Sequence, residues 1–143
     1  GVFLAQKLAG KPLTIVGDGK QTRDFTHVSD VARSIYVSLN SNVSGTILNV
    51  GSGSTVAVNR LAELIGGETI HIPKRPGEPE TTHADISKIE LTLDWRPQIS
   101  IEKGMQEVMK NIHYWENAPV WTPEEIREAT RDWFKFLGED SNN

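Results

Sequence analysis

Residues 12–32 read Pro12-Leu13-Thr14-Ile15-Val16-Gly17-Asp18-Gly19-Lys20-Gln21-Thr22-Arg23-Asp24-Phe25-Thr26-His27-Val28-Ser29-Asp30-Val31-Ala32. The backbone preference changes several times within this stretch. Leu13-Thr14-Ile15-Val16 predicts a short strand, and Gly17-Asp18-Gly19-Lys20 ends it as a turn. Thr22 to Val28 predicts a second strand. If that segment is extended, Arg23, Phe25 and His27 share one face, and Thr22, Asp24 and Thr26 share the other. Ser29 or Asp30 then caps a helix running to about Asn40. In it Val31, Ile35 and Leu39 recur every four residues, with Ala32 and Tyr36 beside them.

Outward from this stretch the same mixture continues. Val2, Phe3, Leu4 and Leu8 form a helical stripe that Gly10 stops. No Met and no capping residue precede it, so the chain is expected to be a piece of a larger protein. On the other side, Thr46–Val50 predicts a third strand, closed by Gly51-Ser52-Gly53. A helix over Val58–Ile65 places Leu61, Ala62 and Ile65 on one side, and Gly66-Gly67 stops it. Thr69–Ile72 predicts a fourth strand, and residues 73–79 are a Pro- and Gly-rich loop. Asp85 is expected to cap a helix over Ile86–Leu93. Ser100 is expected to cap a long helix carrying Ile101, Met105, Val108, Ile112 and Trp115 on one stripe. Thr122-Pro123-Glu124-Glu125 is a capping box. It launches a helix with Ile126, Ala129, Trp133 and Leu137 on one face. The expectation is an α/β chain (α+β taken in isolation) with short strands and about six helices. Residues 1–137 are read as one domain and 138–143 as a frayed tail.

Composition narrows the function. The chain has 143 residues, a net charge of −4 and no cysteine. Thiolate metal sites, disulfides and cysteine catalysis are excluded. The mild acidity argues against a nucleic-acid binder. No apolar run approaches the ~20 residues of a membrane span, and a cytoplasmic protein is the default. His27, His71, His83 and His113 define no metal site, and none is expected. Gly17-Asp18-Gly19 lies between two strands, and Gly51-Ser52-Gly53 lacks a third glycine, so neither is a dinucleotide fingerprint.

Two basic clusters lie outside helices. In the first, Arg23 beside Phe25 pairs a guanidinium with an aromatic ring, which suits a phosphate next to a base or sugar. In the second, Lys74-Arg75-Pro76-Gly77-Glu78, Arg75 suits a phosphate and Glu78 suits ribose hydroxyls. On composition alone, a solvated loop and a salt-bridged edge strand account for both. Tyr114, Trp115, Trp121 and Trp133 read as packing anchors, with a homodimer surface as the alternative.

At these residues the chain resembles the NAD-dependent epimerase/dehydratase family, the extended short-chain dehydrogenases that act on nucleotide sugars. Five blocks carry the resemblance, in order: residues 12–32, Asn49-Val50-Gly51-Ser52-Gly53, Arg75-Pro76-Gly77-Glu78, Ala84-Asp85-Ile86-Ser87-Lys88 and Leu93-Asp94-Trp95-Arg96-Pro97. The resemblance covers residues 1 to about 115. Within the family the pattern looks most like that of UDP-glucose 4-epimerases, while dehydratases and decarboxylases share much of it.

The resemblance implies that Thr14, Ile15 and Val16 lie along the nucleotide base, and that Arg23 binds the diphosphate with aromatic Phe25 two positions on. It implies Arg75 as a second diphosphate arginine and Glu78 on the ribose. Asp85 and Trp95 are structural in the family. The family's glycine-rich NAD turn and its Tyr-x-x-x-Lys pair do not occur: four residues after Tyr36 stands Asn40, and four after Tyr114 stands Ala118. The resemblance therefore implies the C-terminal, substrate-binding portion, with NAD held by a missing N-terminal Rossmann domain. No catalytic or cofactor-binding residue is expected in this chain. A free-standing nucleotide-sugar-binding or protein-interaction module is the alternative.

Overall fold

In the computed structural model, which describes residues 1–138, the first predicted strand sets the layout. β1 (Leu13–Val16) buries Leu13 and Ile15 almost completely. It pairs in parallel with β4 (Thr69–Ile72), in a register that sets Leu13 opposite Thr69 and Val16 opposite Ile72. The chain divides into two compact units. The first contains Gly1–Gln21, Ala57–Glu80 and the residues from Met109 onward, and the second contains Thr22–Val56 and Thr81–Val108.

In the first unit, α1 (Val2–Leu8) and α3 (Val58–Ile65) pack on β1. Leu4, Ala5, Leu13, Ile15, Ala62 and Ile65 form its buried apolar core. Each large aliphatic side chain buried there contributes roughly 1.5–3 kcal/mol. The first N–H groups of a helix have no intrahelical acceptor. In α3 the carbonyls of the glycine turn after β1 accept them: Val58 N–H donates to Gln21 O at 3.1 Å, and Asn59 N–H to Gly19 O at 3.0 Å. Gly19 is required there. Its φ is +72°, and a Cβ would stand 1.8 Å from Asn59 Oδ1.

The C-terminal part of the chain is more broken than its periodicity predicts. The helix begun at Ile101 ends at Lys110 as α5, and a 3-10 turn follows over Ile112–Trp115. The last helix is two: α6 (Pro123–Ala129) and α7 (Arg131–Leu137). They part at Thr130, whose hydroxyl donates to Ile126 O at 2.7 Å. The predicted capping box forms, with Thr122 and Glu125 each accepting from the other's backbone N–H. The described residues thus hold seven α-helices where about six were expected. The tail expected over 138–143 lies outside the described residues except for Gly138.

The second unit departs furthest from the pattern. Its second predicted strand shrinks to β2 (Thr22–Arg23), paired in parallel with β5 (Thr81–Thr82). Beyond Arg23 the Asp24 carboxylate takes over, accepting from Ser52 N–H at 2.7 Å, Ala84 N–H at 3.3 Å and the Thr26 hydroxyl at 3.2 Å. No strand forms over 46–50; the Ile47 carbonyl accepts from Lys88 Nζ instead. A two-residue strand, β3 (Val56–Ala57), ends this segment.

α2 (Val28–Leu39) is capped by His27, whose Nδ1 accepts from Ser29 N–H, rather than by Ser29 or Asp30. Its expected apolar stripe faces out. Leu39 is 79% exposed and Ile35 56%, while Asp30 and Ser34 are buried. The reason is the Asp30 carboxylate. It accepts from Gln98 N–H and Ile99 N–H, both at 3.0 Å, and from Arg33 at 3.0 Å. The Arg33 guanidinium also lies 5.3 Å over the ring of Trp95, which is buried, as are Ile89 and Met105 of the same unit. α4 (Ser87–Leu93) starts one residue later than predicted, and Asp85 accepts from Ser87 N–H at 2.9 Å.

Burial alone pushes the Asp30 carboxyl up, but Arg33 and the two backbone N–H groups outweigh it and hold its pKa below the ordinary range. A carboxylate with a depressed folded pKa stabilises fully above the unfolded value of about 3.9, and that stabilisation is lost as pH falls through the folded value. Asp30→Ala is expected to cost about 3 kcal/mol in urea unfolding at pH 7, because it removes a buried carboxylate and its hydrogen bonds from Gln98 N–H, Ile99 N–H and Arg33. The difference between variant and wild type is expected to shrink below about pH 4.

Candidate functional site

A cavity of about 400 Å³ opens in the first unit. Thr14 and Val16 of β1 form its floor, with Val2 and Phe3 of α1 beside them. Trp121, Ile126, Ala129 and Thr130, from the C-terminal segment, make one wall. Gln21, Arg75 and Glu78 supply its polar groups. A mostly apolar hollow of this size with a few convergent polar groups is the usual form of a small-ligand site.

Strand alternation decides which residues of β1 reach it. Leu13 N–H donates to Glu68 O and Gly17 N–H to Ile72 O, so the odd positions turn their backbone to the β4 side. Thr14 and Val16 turn theirs to the opposite edge. There Gln6, 1% exposed, accepts from Thr14 N–H at 3.1 Å and donates to Thr14 Oγ1 at 2.9 Å and to Trp121 O at 2.8 Å. Gln21 Nε2 donates to the Val16 carbonyl at 2.8 Å. The same edge presents the Thr14 carbonyl and the Val16 N–H, an acceptor and a donor. Ile15, grouped with them in the sequence reading, is 2% exposed and belongs to the core.

Arg75 and Glu78 sit in the loop after β4, both half-buried, with Arg75 Nη1 4.0 Å from Glu78 Oε2. Trp133 of α7 fastens this loop. Its indole N–H donates to Pro76 O at 2.7 Å, and its ring centroid lies 6.0 Å from Arg75 Cζ. The neighbouring Lys74 is taken by Glu80, and that hydrogen-bonded carboxylate holds the Lys74 pKa above its usual value.

Thr14, Val16, Arg75 and Glu78 therefore line one cavity. Arg23 and Phe25 belong to the second unit, both half-buried, and Arg23 Nη1 donates to Thr22 O at 2.8 Å. Phe3, Gln6 and Gln21 were not expected at the site, and Trp121 and Trp133 were expected as packing anchors or a homodimer surface. Gln6 carried a signal: it is a polar residue three positions after Phe3, inside an otherwise apolar stripe.

Residues 2–108 match the family described as GDP-mannose 4,6 dehydratase. The chain belongs to that family. The resemblance to extended short-chain epimerases and dehydratases, and the mixed α/β fold with short strands, are both borne out. Among curated relatives of this family member, a UDP-glucuronic acid decarboxylase 1 of Xenopus tropicalis is 36% identical over 78% of this chain and 27% of its own. A putative UDP-glucose 4-epimerase of Methanocaldococcus jannaschii is 37% identical over 77% of this chain and 38% of its own. Among solved structures, the UDP-glucuronic acid 4-epimerase of Bacillus cereus, in complex with UDP-glucuronic acid and NAD, superposes with a TM-score of 0.72 at 30% identity. The match covers 79% of this chain and 38% of that one. The chain thus spans about a quarter to two-fifths of the length of these relatives. Among the described residues no helix is long and apolar enough to cross a membrane.

Gln6→Leu removes the partners of Thr14 N–H, Thr14 Oγ1 and Trp121 O together. It is expected to lower the unfolding free energy by about 3 kcal/mol, measured by urea denaturation. Because the Trp121 backbone is released, tryptophan fluorescence of the native state is also expected to change.

Proposed function

We propose that this chain forms the nucleotide-diphosphate-binding part of a larger NAD-dependent enzyme that acts on a UDP-sugar, a 4-epimerase first among that class. The observation that carries the reading is the single cavity joining the Thr14–Val16 edge to Arg75 and Glu78. A planar base lies against Phe3 and Val16, with its donor and acceptor edge on the Thr14 carbonyl and Val16 N–H. Arg75 offers a fixed fork of donors to the diphosphate, and Glu78 accepts from the ribose diol. Arg23 and Phe25 join the proposed binding residues on the strength of the family pattern. The relatives' names, which are UDP-sugar epimerases and decarboxylases, support the choice of UDP.

In such an enzyme this chain grips and orients the substrate, and its apolar wall keeps water from the nucleotide. NAD, held by the remainder of the enzyme, would supply removal and return of a hydride at the sugar carbon. No residue of this chain takes a proton in that step.

The chain alone is expected to be catalytically inactive and to bind UDP-glucose weakly or not at all. Submicromolar affinity in calorimetry contradicts that expectation. In a complete enzyme, Arg75→Ala and Arg23→Ala are each expected to raise the KM for the nucleotide sugar by about 10- to 100-fold, as loss of a charged hydrogen bond predicts. Unchanged KM in both variants contradicts the assignment.

A further inference from the structure

The C-terminal helices lie outside the stretch that defines the family, which ends at residue 108. They nevertheless build one side of the cavity, and one of their residues grips the loop that carries Arg75. Trp133 makes two contacts with that loop, one to the Pro76 carbonyl and one to the Arg75 guanidinium itself. The indole N–H fixes the Pro76 carbonyl at 2.7 Å, immediately after Arg75 in the chain. The indole ring lies 6.0 Å from the guanidinium carbon, within range of a cation–π contact. An arginine side chain is otherwise rotamer-rich and must be ordered when it meets an anion. A guanidinium resting on a ring whose own position is pinned by a hydrogen bond has lost that freedom before the ligand arrives.

We propose that Trp133 is a positioning residue that sets the Arg75 guanidinium for a diphosphate, so that the C-terminal helices tune affinity for the anionic part of the ligand. The inference rests on the nucleotide-sugar reading of the cavity. Trp133 touches the loop from outside, and Arg75 touches the anion.

The test uses the complete enzyme with Trp133→Leu and Trp133→Phe, measuring kcat, KM for the nucleotide sugar, and inhibition by UDP and by uridine. Uridine has the base and ribose but no diphosphate. Trp133→Leu is expected to raise KM and the UDP inhibition constant roughly tenfold, with kcat and the uridine constant unchanged. Trp133→Phe keeps a ring under the guanidinium and loses only the N–H, so a change of roughly threefold is expected. Trp133→Leu added to Arg75→Ala is expected to give no further loss, because the two act as one unit. Equal weakening of UDP and uridine, or an additive double variant, overturns the positioning role and leaves the cavity reading standing. Failure of the wild-type enzyme to bind UDP overturns that reading, and this inference with it.

Discussion

One buried amide holds the candidate site together. Gln6 projects from α1 into the edge of β1 and serves both the Thr14 backbone and its hydroxyl, while its remaining donor reaches Trp121. Buried amides are costly when unpaired and cooperative when satisfied. Here a single side chain links the helix, the strand and the start of the C-terminal segment. Its hydrogen bonds join the floor of the cavity, at Thr14, to one wall, at Trp121. The apolar core of Leu4, Leu13, Ile15 and Ile65 holds β1 in place, and Gln6 decides what the exposed edge of β1 faces.

The second unit uses the same device with carboxylates. Asp24 and Asp30 each collect backbone N–H groups from distant loops, Ser52 and Ala84 for one, Gln98 and Ile99 for the other. Hydrogen bonds to an ionised acceptor are stronger than neutral ones. For both aspartates these bonds outweigh the cost of burial, and their pKa values lie below the ordinary range. Residues in or beside the second, fourth and fifth blocks are thus tied to aspartates of the first block.

Local signals were legible wherever they were self-contained. β1, the glycine turn, α3, β4 and the Thr122 capping box all appear near the predicted residues, because propensity, turn chemistry and caps are encoded within a few positions. The errors arose where a distant partner decided the outcome. α2 shows this most clearly: its four-residue apolar spacing pointed Val31, Ile35 and Leu39 inward, yet Asp30 turned the helix the other way. The Thr46–Val50 strand failed for lack of a neighbouring strand among the described residues. Of the candidate site, Thr14, Val16, Arg75 and Glu78 were readable and share one cavity, whereas Ile15 went to the core by simple alternation. The site roles of Gln6 and Trp133 are not legible locally because their contacts cross more than one element, to Trp121 and to Pro76, and no local pattern encodes such distances.

The central claim is that the cavity beside β1 receives the nucleoside diphosphate. The most direct measurement is a crystal structure of the complete enzyme with UDP bound. The account predicts the base edge on Val16 N–H and the Thr14 carbonyl, with the Arg75 guanidinium in hydrogen-bond range of a diphosphate oxygen. UDP bound with neither its base at Val16 nor its diphosphate at Arg75 would contradict it.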